Sequence, residues 1–125
     1  MKTILNTENA PAPIGPYSQA VKAGGFLFVS GQIAFEPSTG ELVLSSIEAE
    51  TERVMENLKA ILLNAGIGFE NIVKTSIFLS DMKDFAEVNK VYGRYFTDNF
   101  PARETVQVAG LPRGVNVEIS VVALI

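Results

Sequence analysis

At 125 residues, 47% hydrophobic and 19% charged, the chain is long enough for one packed domain over 1–125 and too apolar to be disordered. Cysteine and histidine are both absent, which excludes disulfides, thiolate nucleophiles, Cys/His zinc sites and a Ser-His-Asp triad. A formal net charge of −4, with basic residues scattered singly, argues against nucleic acid as a partner. The apolar runs around Phe26–Val29 and Ser120–Ile125 are too short to span a bilayer, and Asn6 to Asn9 break the signal-like start Met1–Leu5. No membrane partner and a cytosolic location are therefore expected.

The elements follow in chain order. Pro11, Pro13, Gly15 and Pro16 make residues 7–16 an irregular arm. Tyr17–Lys22 and Phe26–Ile33 read as two strands joined at Gly24-Gly25. Glu36-Pro37-Ser38-Thr39-Gly40 is turn chemistry, with a short extended piece at Leu42–Leu44. Ile47, Val54, Met55, Leu58, Ile61, Leu62 and Ala65 recur at helical spacing, so residues 46–65 form a helix, with Ser45 and Glu48 as a capping box and Gly66 as the stop. Asn71–Leu79 reads as a strand with Val73, Ile77 and Leu79 in phase. Asp84 caps a second helix running to about Asn99, with Phe85, Val88, Tyr92, Tyr95 and Phe96 inward, and Pro101 forbids continuation. Strands at 103–109 and 115–124 close the chain. The expected fold is α+β: a mixed sheet with both helices on one face. The last strand is apolar on both sides, which on so small a domain points to a homo-oligomer.

Arg103, Thr105 and Gln107 share one side of their strand, and a guanidinium after Pro101 is well placed to grip a carboxylate bidentately. Ser30-Gly31 interrupts a buried-looking strand, and glycine there marks either a bulge or close approach by a ligand or backbone. Asn89 sits inside the second helix near its Val88/Tyr92 face. Glu118 shares a strand face with Asn116 and Ser120. Without histidine, an acid or base at neutral pH must be Asp, Glu, Lys, Tyr or water. Gly24-Gly25, Gly31 and Gly66-Ile67-Gly68 match no phosphate-binding motif and the carboxylates show no metal-ligand spacing, so no cofactor and no metal are expected.

Gly15-Pro16-Tyr17-Ser18-Gln19-Ala20, Val29-Ser30-Gly31-Gln32, Asn89, Pro101-Ala102-Arg103 and Val117-Glu118-Ile119, in this order and spacing, are together very similar to the YjgF/RidA family, and the resemblance covers essentially the whole chain. It implies a chorismate-mutase-like fold, a homotrimer whose sheets form a central barrel, and active sites in clefts between subunits. It makes Arg103 the carboxylate-binding residue and Glu118 the carboxylate near the attacking water. Tyr17, Ser30, Gly31 and Asn89 would line the cleft. Thr105 stands where many members carry cysteine, read as a pocket and backbone-contact position.

The activity implied is metal-independent hydrolysis of reactive 2-imino acids, such as 2-iminobutanoate and 2-iminopropanoate, and their enamine tautomers to 2-keto acids and ammonia. A protonated imine is already electrophilic, so orientation by Arg103 and a proton-handling Glu118 suffice. One alternative is a non-catalytic module that senses 2-keto acids through Arg103 and has no use for Glu118 as a base. Ribonuclease or translation-inhibitor activity, also attached to the family, ranks last, because the chain offers neither a phosphate footprint nor a histidine.

Overall fold

Alternation over Phe26–Gln32 and Val117–Leu124 puts Leu27, Val29, Val117, Ile119, Val121 and Ala123 on one side of the pleat, and all six are buried. In the computed structural model, which describes residues 1–125, these strands are β3 and β6 of a six-stranded sheet. The others are β1 (Thr3–Leu5), β2 (Ala20–Ala23), β4 (Ile72–Leu79) and β5 (Ala102–Gln107), in the order β1-β2-β3-β6-β4-β5. Only β4 and β5 run parallel, so the sheet is mixed. Two helices, α1 (Ile47–Asn64) and α2 (Phe85–Gly93), cover the buried side. The expected α+β layer with both helices on one face is the observed one. No helix is long and apolar enough to cross a membrane.

The apolar stripe of α1 supplies Val54, Met55, Leu58, Ile61 and Leu62 to the core, each almost fully buried. Burying one such side chain stabilises the fold by about 1.5–3 kcal/mol. Its N-cap is Ser46 rather than Ser45: the Ser46 hydroxyl accepts from the Ala49 N–H at 3.0 Å. Gly66 follows the helix at φ 78°, in the left-handed region that glycine occupies without strain.

Five further expectations shift. β1 is an additional edge strand, pairing with Ala20–Lys22. Leu42 makes only an isolated bridge to Phe35. The second helix ends at Gly93, six residues early, because Tyr95 and Phe96 turn back by i→i+3 hydrogen bonds and join Phe69, Tyr92 and Phe100 in an aromatic cluster. Asp84 makes no side-chain cap; Asp81 caps the preceding 3₁₀ turn at Lys83 instead. Val73 faces out rather than in, since a register shift between Ile72 and Lys74 buries Ile72, Thr75, Ile77 and Leu79 in its place.

Two buried polar side chains tie the layers together. Glu50 of α1 is fully buried, and its carboxylate accepts from the Asn116 and Val117 backbone N–H groups and the Asn116 amide at 2.8–3.0 Å. Asn57 donates to the Ile33 and Phe35 carbonyls and accepts from Arg53, which in turn pairs with Glu36 at 2.6 Å. Glu50→Ala should cost about 2–3 kcal/mol, because it strands the Asn116 and Val117 donors against the helix. Urea denaturation reads this as a lower midpoint at an unchanged m value.

Candidate active site

The residues singled out by sequence gather into two groups on opposite faces of the sheet. The first lies at one end of β3 and β6, on the face without helices. Glu118 occupies that face because Val117 and Ile119 take the core side, and Phe78 of β4 stands across from it. Gly31 sits in the irregular register between Val29 and Gln32 of β3. A β-carbon there would fall 2.6 Å from Glu118 Oε2, so the carboxylate rests directly on the Gly31 backbone. Tyr17, Ile14, Phe35 and Pro112 complete a cavity of about 50 Å³ with Glu118 and Gly31. Partial burial with no ion pair pushes the Glu118 carboxyl above its ordinary value.

The arm that walls this cavity is held by Gln19, which is buried although it precedes β2. Its amide oxygen accepts from the Thr7 N–H at 2.8 Å, and its nitrogen donates to the Thr7, Ala10 and Pro11 carbonyls at 2.9–3.3 Å. Tyr17 is half exposed, and its hydroxyl accepts from the Ile14 N–H at 3.3 Å. The Ser30 hydroxyl donates to the Ser18 carbonyl at 2.5 Å, so Ser30 fixes the strand entry by that bond and does not line the cavity.

The second group lies at β5, an edge strand. Arg103, Thr105 and Gln107 do share a side, but it is the side facing the helices, opposite Thr75, Ile77 and Leu79 of β4. Val106 is exposed on the other face. The Val108 N–H donates to the Leu79 carbonyl at 2.9 Å, so by alternation the Arg103, Thr105 and Gln107 backbone groups point off the open edge. Gln107 accepts from the Met82 N–H at 2.7 Å, which fixes the far end of the row. Arg103 makes no ion pair, whereas Arg53, Lys74, Lys83 and Arg94 all do. Beside it the Thr105 hydroxyl oxygen is buried without a hydrogen-bond partner in the chain. Asn89 occupies the α2 face shared by Phe85 and Tyr92, the two rings nearest the Arg103 guanidinium.

The structure thus brings Tyr17, Gly31 and Glu118 together, and Arg103, Thr105 and Asn89 together, with β4 between the two groups. Sequence reasoning missed the walls Ile14, Phe35 and Pro112 and the role of Gln19. The density of prolines in 11–16 is the one signal that could have marked the arm as a wall. Gly31→Ala should lower activity at nearly unchanged thermal stability, since the new methyl displaces the carboxylate while the backbone is free to keep its path. Melting temperature and turnover measured on the same sample check this.

A family model described as Endoribonuclease L-PSP matches residues 7–125. A RutC family protein of Pyrococcus horikoshii is 51% identical over 98% of this chain and 98% of its own. The human 2-iminobutanoate/2-iminopropanoate deaminase is 44% identical over 99% of this chain and 90% of its own. The crystal structure of a Rid-family protein from Yersinia pestis superposes with a TM-score of 0.97 at 47% identity, covering 100% of both chains. With a family match over almost its full length and a shared fold, the chain belongs to the YjgF/RidA family.

Proposed function

We propose that this protein hydrolyses 2-imino acids such as 2-iminobutanoate and 2-iminopropanoate to 2-keto acids and ammonia, without metal or cofactor. The observation that carries the reading is Arg103, a cation with no anionic partner, next to the orphaned Thr105 hydroxyl on an open strand edge. A planar guanidinium, a hydroxyl and outward N–H groups make a receptor for a carboxylate. The deaminase name of the human relative supports the reaction class.

In this scheme Arg103 and Thr105 hold the substrate carboxylate, with Asn89 lining that side. Glu118 accepts a proton as water attacks the iminium carbon, giving a tetrahedral carbinolamine. It returns that proton to the amine nitrogen; the C–N bond then breaks, ammonia leaves, and the hydroxyl proton is lost as the carbonyl forms. Burial of Glu118 favours proton acceptance nearer neutrality than an ordinary carboxylate allows. Tyr17 and the Gly31 backbone shape the pocket around the reacting carbon, with Ser30 holding the strand entry.

Arg103 and Glu118 face opposite sides of one sheet, so a complete site draws them from two copies. The open face also carries Phe26, Phe28, Val106 and Leu124, all exposed, which is the apolar surface an assembly of copies would cover. We take the assembly to be a homotrimer of single-domain chains with three shared clefts, acting in the cytosol where imines are released.

Generating 2-iminobutanoate in situ with a dehydratase and timing keto-acid release tests the activity. Release faster than the free imine's own hydrolysis is expected; equal rates would leave only the keto-acid sensor. A second assay tests the shared cleft. Arg103→Ala and Glu118→Gln chains, each inactive alone, should recover about one quarter of wild-type activity when unfolded together and refolded as random mixed assemblies. No recovery would place both residues in the same subunit's site.

A further inference from the structure

We infer that Phe85 and Tyr92 are positioning residues that hold Arg103 in the orientation a carboxylate requires. The inference rests on the carboxylate-binding role of Arg103 proposed above. The Arg103 guanidinium carbon lies 5.1 Å from the Tyr92 ring centroid and 5.8 Å from that of Phe85, both within cation–π range. An arginine on an edge strand would otherwise sample many rotamers, and no carboxylate restrains this one. Rings are the better restraint for a receptor. A carboxylate partner would occupy the in-plane N–H donors and cancel the charge, whereas an aromatic face attracts the cation and leaves those donors free.

The platform is itself fixed. Tyr92 is 5% exposed, and its hydroxyl donates to Thr75 Oγ1 at 2.9 Å. Thr75 is fully buried and stands directly opposite Arg103 in the β4/β5 register, so the ring is pinned to the strand pair that carries the guanidinium. Burial raises the Tyr92 phenol above its ordinary value, which keeps the ring's substituent neutral across the physiological range.

Phe85 is the informative partner because burial does not explain it. Helical spacing places it inward, yet it is 38% exposed at the first residue of α2. Its place two turns from Tyr92 on the same helix face, with Asn89 between, puts a second ring beside the same cation. An exposed phenylalanine that contributes little to the core has its clearest contact in Arg103.

Phe85→Leu removes the ring with little change in burial, so thermal stability should stay near wild type. Calorimetric titration with 2-oxobutanoate should show affinity weakened about 3–30-fold, with KM for 2-iminobutanoate rising in parallel and kcat nearly unchanged. Phe85→Trp should restore affinity. In an Arg103→Ala background Phe85→Leu should have no further effect. Independently of any ligand, the Arg103 Nε–Hε resonance, assigned by its loss in Arg103→Lys, should carry an upfield ring-current shift that shrinks in Phe85→Leu. An unchanged resonance, or a full Phe85→Leu effect persisting without Arg103, overturns the inference. A wild-type protein that binds no 2-oxobutanoate but shows the Phe85-dependent shift leaves the aromatic cradle standing and overturns the carboxylate reading instead.

Discussion

Glu118→Gln should lower imine turnover about 10²–10⁴-fold while leaving 2-oxobutanoate affinity nearly unchanged. Glutamine keeps the shape and one acceptor but cannot take a proton from water. The wild-type pH profile carries a second expectation. Burial holds the Glu118 carboxyl above its ordinary value, so activity should fall on acidification at a higher pH than an unperturbed carboxylate would give. Stability moves the other way. A carboxyl whose pKa is raised on folding favours the folded state most at low pH, and that contribution is lost as pH rises through the folded value. The glutamine variant has no such loss, so at neutral pH it should melt higher than wild type, with the gap closing in acid. Parallel melting curves and progress curves across pH check both signs, with the free imine's own hydrolysis subtracted. Equal loss of affinity and turnover would make Glu118 a support for the pocket rather than its base.

Arg103→Ala should weaken 2-oxobutanoate binding and imine turnover together, at a cost of about 2–4 kcal/mol in each, as expected for a lost bidentate charged pair. Stability should fall only by about 0.5–1 kcal/mol for the lost ring contacts, because Arg103 forms no ion pair within the chain. Arg103→Lys should rescue poorly: an ammonium offers a point charge without the planar fork and stacks less well on the two rings. Calorimetry and steady-state kinetics decide it. Near-wild-type turnover in the alanine variant would move the carboxylate site to Arg113, whose guanidinium lies 5.7 Å from the ring of Phe35 in the wall of the Glu118 cavity. Arg94 is a weaker substitute, since Glu48 already pairs with it at 2.9 Å.

The layer architecture was legible in sequence where one local signal dominated. The α1 stripe and Gly66 left little freedom, and Gly24-Gly25, both at positive φ, fixed the β2–β3 hairpin. Where a tertiary contact outweighed local preference, the reading failed. The aromatic cluster ended α2 early, a bulge turned Val73 out, and β1 is too short to show a period. The same division holds for the site. Motif resemblance named Tyr17, Ser30, Gly31, Asn89, Arg103, Thr105 and Glu118 individually, and strand alternation gave which neighbours share a side with Arg103 or Glu118. Which face each row meets depends on pairing. The polar row of β5 faces the helices only because it is in register with Thr75, Ile77 and Leu79. That register is non-local, so the separation of Arg103 from Glu118 could not be read from either strand alone.

The Gln19 amide gives the arm an unusual kind of mobility. One side chain closes four hydrogen bonds to residues 7, 10 and 11, so a single anchor ties three points of the arm together. Full release of the arm breaks all four bonds, and the next residues along, Ala12 and Ile14, are part of the cavity wall. Among the arm's backbone amides only the Thr7 N–H is held by this side chain, so its exchange reads the Gln19 anchor directly. Loss of the whole anchor would free the wall of the Glu118 pocket, so exchange at the Thr7 N–H sets an upper limit on the rate of that opening from a residue that never touches the substrate.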